Sequence, residues 1–380
     1  MSVVSLLHCE GYEYEKVKSA IDSTFINLGG IQEFIKPGMK VLLKINLLMK
    51  KKPEEATTTH PVFVEALVRA IQEAGGIVTI ADSPGGPYTT RALENIYAVS
   101  GIGQAAKKTG ALLNYDLTYK EVPFPDGKIT RSFAVITPAL EADLIISVPK
   151  LKTHGMTLFT GAVKNLFGII PGIHKAEYHF RMEDKKDFCN MLVDLCEFVK
   201  PALSLMDGII GMEGNGPSAG NPRKIGAVIA STNPYLVDVV AAKMIGLKPS
   251  DVYTIANSVE RGLCISDLSK INIVGEDMRA FLINDFKLPT GRSLSFLDGM
   301  PKFIQKSINR WVSPNPLFIY DVCVGCRDCE MNCPPKAIKM KGQKPYVDLN
   351  KCIKCFCCQE LCPKKAVEIK RPWWMEKFLQ

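Results

Sequence analysis

Cys323-Val324-Gly325-Cys326-Arg327-Asp328-Cys329-Glu330-Met331-Asn332-Cys333-Pro334 and Cys352-Ile353-Lys354-Cys355-Phe356-Cys357-Cys358-Gln359-Glu360-Leu361-Cys362-Pro363 are one pattern written twice. Each copy reads C-x2-C-x2-C-x3-C-P, and the second begins 29 residues after the first, from Cys323 to Cys352. Ala337-Ile338 recurs as Ala366-Val367 at the same offset. The chain has 13 cysteines, nine of them between Cys323 and Cys362, with Cys9, Cys189, Cys196 and Cys264 scattered. The N-terminus, Met1 to Glu10, has no basic segment ahead of an apolar run, so it does not read as a secretion signal. Tight cysteine spacing without such a signal points to metal binding in a reducing cytoplasm, not to disulfides.

Thiolate sulfur is a soft ligand suited to iron–sulfur clusters. Spacings of two let one tight loop wrap three corners of a cubane. The fourth cysteine starts the next turn, too far round to close the same cluster, and ligates the other one. The following proline limits the backbone and removes a donor. The reading is therefore two 4Fe–4S clusters: Cys323, Cys326, Cys329 and Cys362 for the first, and Cys352, Cys355, Cys358 and Cys333 for the second. Zinc is the rival, because two four-thiolate sites would use the same count. The doubled spacing with both prolines favours iron–sulfur. Cys357 breaks the symmetry and is read as a bystander, and the scattered cysteines as core residues.

This repeat resembles the bacterial-type two-cluster ferredoxins over about 50 residues. The resemblance implies a small C-terminal α+β two-cluster ferredoxin-like domain at residues 317–370 and an electron-transfer role.

Upstream, residues 285–316 are rich in proline and glycine. They are read as a linker carrying one amphipathic helix, Lys302–Val312. A membrane-surface helix is the minority alternative there. Residues 371–380 form an aromatic tail with Trp373-Trp374 and Phe378. Residues 1–284 alternate short apolar runs with helical patterns. Val3–His8, Val41–Ile45, Ile77–Ala81, Leu144–Val148, Ser204–Met206 and Ala227–Ser231 read as strands that are apolar almost throughout, as when both sheet faces are covered. Pro61–Ala74 reads as a helix with proline at its first position and Gly75-Gly76 at its stop. Asp184–Val199, Pro234–Ile245 and Ser250–Arg261 are similar. Such alternation predicts an α/β fold, a mostly parallel sheet flanked by helices.

Four polar stretches follow predicted strand ends, where open α/β sheets bind ligands. They are Lys44-Ile45-Asn46; Ala81-Asp82-Ser83-Pro84-Gly85-Gly86; Pro149-Lys150-Leu151-Lys152-Thr153-His154 with Gly161-Ala162-Val163-Lys164-Asn165-Leu166-Phe167-Gly168; and Asp207 with Gly211–Pro217. Lys175, Glu177 and His179 lie between the last two. Lysines, asparagine and glycine backbone suit an anionic ligand, and His154 or His179 suits proton transfer at neutral pH. Lys152, His154, Lys164, Asn165 and His179 are the candidate site residues. The plainer reading makes Asp82–Gly86 only a turn, Lys44 and Lys150 edge lysines, and His60 a helix-start residue.

Several function classes are excluded. No G-x-x-x-x-G-K-[ST] loop, G-x-G-x-x-G fingerprint, G-x-S-x-G elbow or H-E-x-x-H occurs. No flavin motif is present either, although flavin binding need not show one. The net charge of +8 is spread along the chain without a clustered basic face, so nucleic acid is not an expected partner. It does suit an anionic substrate or an acidic redox partner protein. No run of about 18 apolar residues occurs, so no spanning helix and no membrane association are expected. The sequence carries no reading of oligomeric state.

The Pro149–His154, Val163–Gly168 and Asp207–Pro217 stretches resemble the family "domain of unknown function 362", over about 280 residues. That resemblance implies a large domain found together with iron–sulfur clusters, and supplies no substrate. The functional expectation is an iron–sulfur oxidoreductase relaying single electrons to an anionic ligand on the α/β domain. The alternatives are a ferredoxin-type carrier or adaptor, and a cofactor or metal-centre assembly factor.

Overall fold

The computed structural model describes residues 3–289 and 313–371. The expected helix Lys302–Val312 and the aromatic tail from 372 onward lie outside the described residues.

The expected strands form. Val3–His8 (β1), Lys40–Ile45 (β2), Ile77–Ala81 (β3), Leu112–Leu113 (β4), Tyr119–Pro123 (β5), Ser132–Ile136 (β6) and Leu144–Val148 (β7) are followed by Lys150–His154 (β8), Leu158–Thr160 (β9), Leu203–Glu213 (β10), Asn221–Ser231 (β11) and Asn272–Gly275 (β12). Ten of these make one sheet in the order β12-β1-β11-β10-β7-β2-β3-β4, with β8 paired to β10 and β9 to β8. It is mostly parallel: β2 runs parallel to β3 and β7, and β10 to β7 and β8, while β1–β11, β10–β11 and β8–β9 are antiparallel. Helices cover both faces, which is why Val41, Leu42, Leu43 and Ile45 are all buried.

The helix Pro61–Glu73 illustrates the local logic. His60 caps it, its Nδ1 accepting from the Val62 N–H at 3.3 Å, and Pro61 occupies the first turn. Phe63, Val64, Leu67, Val68 and Ile71 share the inward face and are fully buried. At about 1.5–3 kcal/mol for each large apolar side chain, this face, rather than helix propensity, holds the element in place.

Three sequence readings are corrected. Lys150–His154 is not a loop after a strand but a strand, β8, with all five residues buried; the apolar run of β7 hid it because one proline, Pro149, separates the two. Asp207 sits inside β10, not beyond its end. The large domain also runs past 284: Phe286 is buried, and Lys287 exchanges hydrogen bonds with the Glu213 carboxylate and the Gly214 N–H.

The C-terminal module is built from Asn315–Phe318 (β13), Ile338–Lys341 (β14), Lys344–Val347 (β15) and Val367–Lys370 (β16), paired β13–β16 and β14–β15, both antiparallel. It begins two residues before the expected boundary of 317. It packs on the large domain through the Gln359 amide to the Asn215 carbonyl (2.7 Å), the Ser218 hydroxyl to the Glu360 carbonyl (2.6 Å) and Lys365 to the Gly220 carbonyl (3.0 Å).

Candidate functional site

A cleft lies where the carboxyl ends of β2, β3 and β8 meet the C-terminal module, the edge at which open α/β sheets bind ligands. Lys152, His154, Lys164, Asn165 and His179 all line it. The opposite wall is Asn332, Cys357, Glu360 and Leu361 from the cysteine loops.

The strand repeat of two explains β8. Lys150, Lys152 and His154 alternate with Leu151 and Thr153, placing three polar groups on one face of a buried strand. Lys150 closes a compact network: its ammonium bonds Asp207 (2.8 Å) and the Tyr12 hydroxyl (2.6 Å), Tyr12 donates to Asp207 (2.7 Å), and the Tyr12 ring stacks on His60 at 3.5 Å. Lys44 likewise pairs with Asp82 at 2.8 Å. Both lysines are buried, not at an edge. Burial pulls each ammonium's pKa down, and its carboxylate partner pulls it back up.

Further along, Lys152 donates to the Asn46 side-chain oxygen and the Thr57 carbonyl, both at 2.7 Å. Burial lowers it to about 7. Lys175 bonds the Ser83 carbonyl, and burial also lowers it to about 7. His154 Nδ1 accepts from the Met156 N–H (3.1 Å) and the Thr157 N–H (3.4 Å). The imidazole proton therefore sits on Nε2, which is buried without a hydrogen bond and lies 3.6 Å from the Glu360 carboxylate. Burial first, then Lys164, keeps this ring neutral by holding its pKa well below the ordinary value. His179 stacks on Phe188 at 4.4 Å, has a buried Nδ1 without a partner, and is pushed to about 3, again by burial and then Lys164. Lys164 is half-buried over the rings of Phe167 (5.3 Å) and Phe188 (5.8 Å).

Asn165 has a different position. Its amide nitrogen donates to the Lys44 carbonyl (2.9 Å) and the Ser147 hydroxyl (3.0 Å). Both amide hydrogens are engaged, so it positions Lys44 rather than offering a donor to a ligand. Asp82-Ser83-Pro84-Gly85-Gly86 is more than a turn: Asp82 also accepts the Leu47 N–H at 2.7 Å and lines the cleft. A side chain at Gly168 would run into the Asp82 carboxylate and the Lys44 ammonium. Gly168→Ala is therefore expected to destabilise the protein by about 1–3 kcal/mol, read as a lower urea midpoint.

Sequence reasoning missed Glu360, and it noted Lys175 without placing it among the candidate site residues. Glu360 stands among the cysteines, and nothing in its own domain indicates that it faces His154. Lys175 comes in on the helix Gly172–Arg181.

The cysteines divide into two neighbourhoods. Cys323, Cys326, Cys329 and Cys362 line one cavity, while Cys333 has Cys355 as a charge neighbour and Cys352 has both Cys355 and Cys333. Among the described residues no three metal-ligating side chains converge closely enough for a single ion. A cavity lined by four thiols, Cys323, Cys326, Cys329 and Cys362, is a soft donor set that fits an iron–sulfur cluster. The Ala337 N–H points to the Cys333 sulfur (3.2 Å) and the Ala366 N–H to the Cys362 sulfur (3.1 Å); such bonds stabilise thiolate charge. Cys357, read as a bystander to the clusters, is buried and lines the cleft. Cys9, Cys189 and Cys196 are buried core thiols.

Comparison with known proteins agrees with this anatomy. Residues 41–243 match the family model "Domain of unknown function (DUF362)", and residues 322–366 match "4Fe-4S dicluster domain". A thylakoid-associated protein of Synechocystis sp. is 32% identical over 330 residues, covering 83% of this chain and 98% of that protein. The lactate racemase apoprotein from Thermoanaerobacterium thermosaccharolyticum aligns with 63% of this chain and 57% of that one, at 13% identity and a TM-score of 0.39. Among the described residues no helix is long and apolar enough to cross a membrane. The chain belongs to the domain-of-unknown-function 362 family and is an iron–sulfur protein with a ferredoxin-type 4Fe–4S domain near its C-terminus.

Proposed function

We propose that the protein is an oxidoreductase that delivers single electrons from two 4Fe–4S clusters to a small anionic ligand held in the interdomain cleft. The observation that carries this reading is the cleft itself. Its α/β wall holds Lys152, His154, Lys164 and His179, and its other wall is the loop of Cys357 and Glu360. A docking surface for a protein would need no concavity, and a carrier would need no basic, water-excluding floor.

Cys323, Cys326, Cys329 and Cys362, and Cys352, Cys355, Cys358 and Cys333, would hold two clusters, which would supply one electron at a time. Lys152, Lys164 and Lys175 hold the ligand's negative charge, and Asn165 keeps Lys44 and β7 in register. His154 presents Nε2–H to the ligand as a neutral hydrogen-bond donor, beside the Glu360 carboxylate 3.6 Å away. His179, held neutral by burial, is a second imidazole that can hydrogen-bond the ligand. Phe167 and Leu361 exclude water, which strengthens each charge contact.

The test is oxygen-free isolation, with mass spectrometry of any released small molecule (a flavin included), then stopped-flow reoxidation of the reduced protein by candidate anions. Lys164→Ala is expected to slow reoxidation by about 10- to 100-fold, the value of one charge-assisted hydrogen bond, with iron content unchanged. Wild-type rates in Lys152→Met, Lys164→Ala and His154→Gln alike would sink the proposal.

The pH dependence has a definite sign. Lys152 and Lys175 lose their protons as pH rises through about 7. Between pH 6 and 8 the ammonium form of such a group falls about tenfold. Anion affinity is therefore expected to weaken over that interval by up to about tenfold per lysine involved, measured as ligand Kd or KM at fixed ionic strength. A pH-independent Kd in this range would remove both lysines from the binding step.

A further inference from the structure

A buried ammonium group needs a counter-charge, and most of those in this sheet have one. Lys44, Lys150 and Lys152 are all fully buried. Lys44 has Asp82 at 2.8 Å, and Lys150 has Asp207 at 2.8 Å. Lys152 differs. Among the described residues its ammonium bonds only uncharged oxygens, the Asn46 side-chain oxygen and the Thr57 carbonyl. Lys175 repeats the case. It reaches the Ser83 and Pro84 carbonyls, again with no carboxylate partner among the described residues. Lys164 lies over two aromatic rings and likewise has none there. All three line the cleft. Of the two carboxylates on the cleft wall, Asp82 is already paired with Lys44, and Glu360 meets only the neutral His154.

Three ammoniums against one carboxylate leave two positive charges unanswered. Their placement matters as much as their number. Lys152 is anchored on the chain that follows β2, through Asn46 and Thr57, and Lys175 on the chain that follows β3, through Ser83 and Pro84. The two unanswered charges therefore stand on separate loops, and Lys164 is a charge neighbour of both. The same cleft collects polar atoms that have no hydrogen bond: Ser83 Oγ, Thr160 Oγ1, His154 Nε2 and His179 Nδ1. Their residues are no more than 5% exposed. Buried polar atoms are normally satisfied, so four orphans in one cleft mark a ligand with several acceptor oxygens.

We propose that the ligand of the cleft is a short dicarboxylate, with one carboxylate held at Lys152, the other at Lys175, and Lys164 shared between them. Its oxygens accept hydrogen bonds from the ammoniums and from the orphaned side chains. A monocarboxylate answers only one of the two charges. A phosphate gathers its charge on one centre and leaves one loop without a counter-charge. This assignment rests on the reading that the cleft holds a small anion, and it adds which anion.

The test uses the full-length holoprotein, isolated without oxygen and kept oxidised. Malonate, succinate, glutarate, butyrate (the monoanion of succinate's chain length) and inorganic phosphate are titrated by calorimetry at pH 7 and constant ionic strength. The tightest dicarboxylate is expected to bind at least about tenfold more tightly than butyrate or phosphate. Lys152→Met and Lys175→Met should each weaken it at least about tenfold, with iron content unchanged. Butyrate should lose less than about threefold in either variant, because the other lysine still serves it. Glu360→Gln removes the opposing carboxylate and should tighten the dicarboxylate severalfold, a gain that a damaged fold would not give. Equal affinity for butyrate or phosphate, equal losses for mono- and dicarboxylates in both lysine variants, unchanged or weaker binding in Glu360→Gln, or no binding of any dicarboxylate would each overturn the assignment. If a dicarboxylate binds as expected yet no anion reoxidises the reduced clusters, the oxidoreductase reading fails alone. If a monoanion reoxidises them and binds as tightly as succinate, the dicarboxylate fails alone.

Discussion

Replacing Cys333 with alanine is expected to remove the second cluster, not the first, although Cys333 lies only four residues after Cys329. Anaerobically purified Cys333→Ala should fall from about eight to about four irons per chain. The reason is the path of the chain. The short helix Asp328–Met331 turns it away after Cys329, and Cys333 comes to lie beside Cys355 and Cys352. Cys362 makes the reciprocal crossing and lies beside Cys326 and Cys329. Adding Cys352→Ala to Cys333→Ala should cost no further iron, because both changes strike one cluster. Adding Cys323→Ala should abolish the remainder. Iron analysis and electron paramagnetic resonance of the three variants check this pattern, in which non-additivity reports a shared site. The reverse pattern would mean that each motif closes its own cluster.

The second large effect concerns stability. Lys44→Met keeps the volume but leaves the Asp82 carboxylate buried without its cation, 2.8 Å away in the wild type. Removing one partner of a buried pair typically costs about 3–5 kcal/mol, because the remaining charge is uncompensated. The same carboxylate also holds the Leu47 N–H, so its strain passes directly to the chain leaving β2. A large drop in urea midpoint is expected at pH 7. Lys44→Met/Asp82→Asn should recover part of it, since the neutral amide keeps an acceptor for Leu47 without the buried charge. An unfolding free energy within about 0.5 kcal/mol of wild type in Lys44→Met would show that water reaches the pair.

The cluster module was legible in the sequence because its determinants are local. Three ligands of each set fall within seven residues, and a spacing of two cysteines apart has few geometric solutions for a soft cubane. The strands β1, β2, β3 and β7 were legible for a similar reason: a strand covered on both faces is an unbroken apolar run. The same rule failed for β8, where burial is sustained by Lys150, Lys152 and His154 instead of by apolar side chains. Its lysines read as surface groups because the partners that permit their burial, Asp207, Asn46 and the Thr57 carbonyl, lie 57 to 106 residues away in the chain.

The candidate site divides in the same way. Lys152, His154, Lys164 and His179 were named from residue type and from position near strand ends, and they do share one cleft. Asn165 was named with them, yet its amide is engaged with Lys44 and Ser147. Glu360 and Cys357 could not be assigned from sequence, since their relevance arises only when the ferredoxin module closes over the sheet edge.

Sequence alone therefore determined the soft-ligand chemistry of the C-terminal module and the parallel character of the sheet, both of which are written in local patterns, the cysteine spacing and the alternation of apolar runs with helices. Tertiary structure alone decided which lysines are buried, which tautomer His154 adopts, and that the second cysteine loop forms a wall of the cleft. Those outcomes depend on desolvation and on partners far apart in sequence, and no local pattern encodes either.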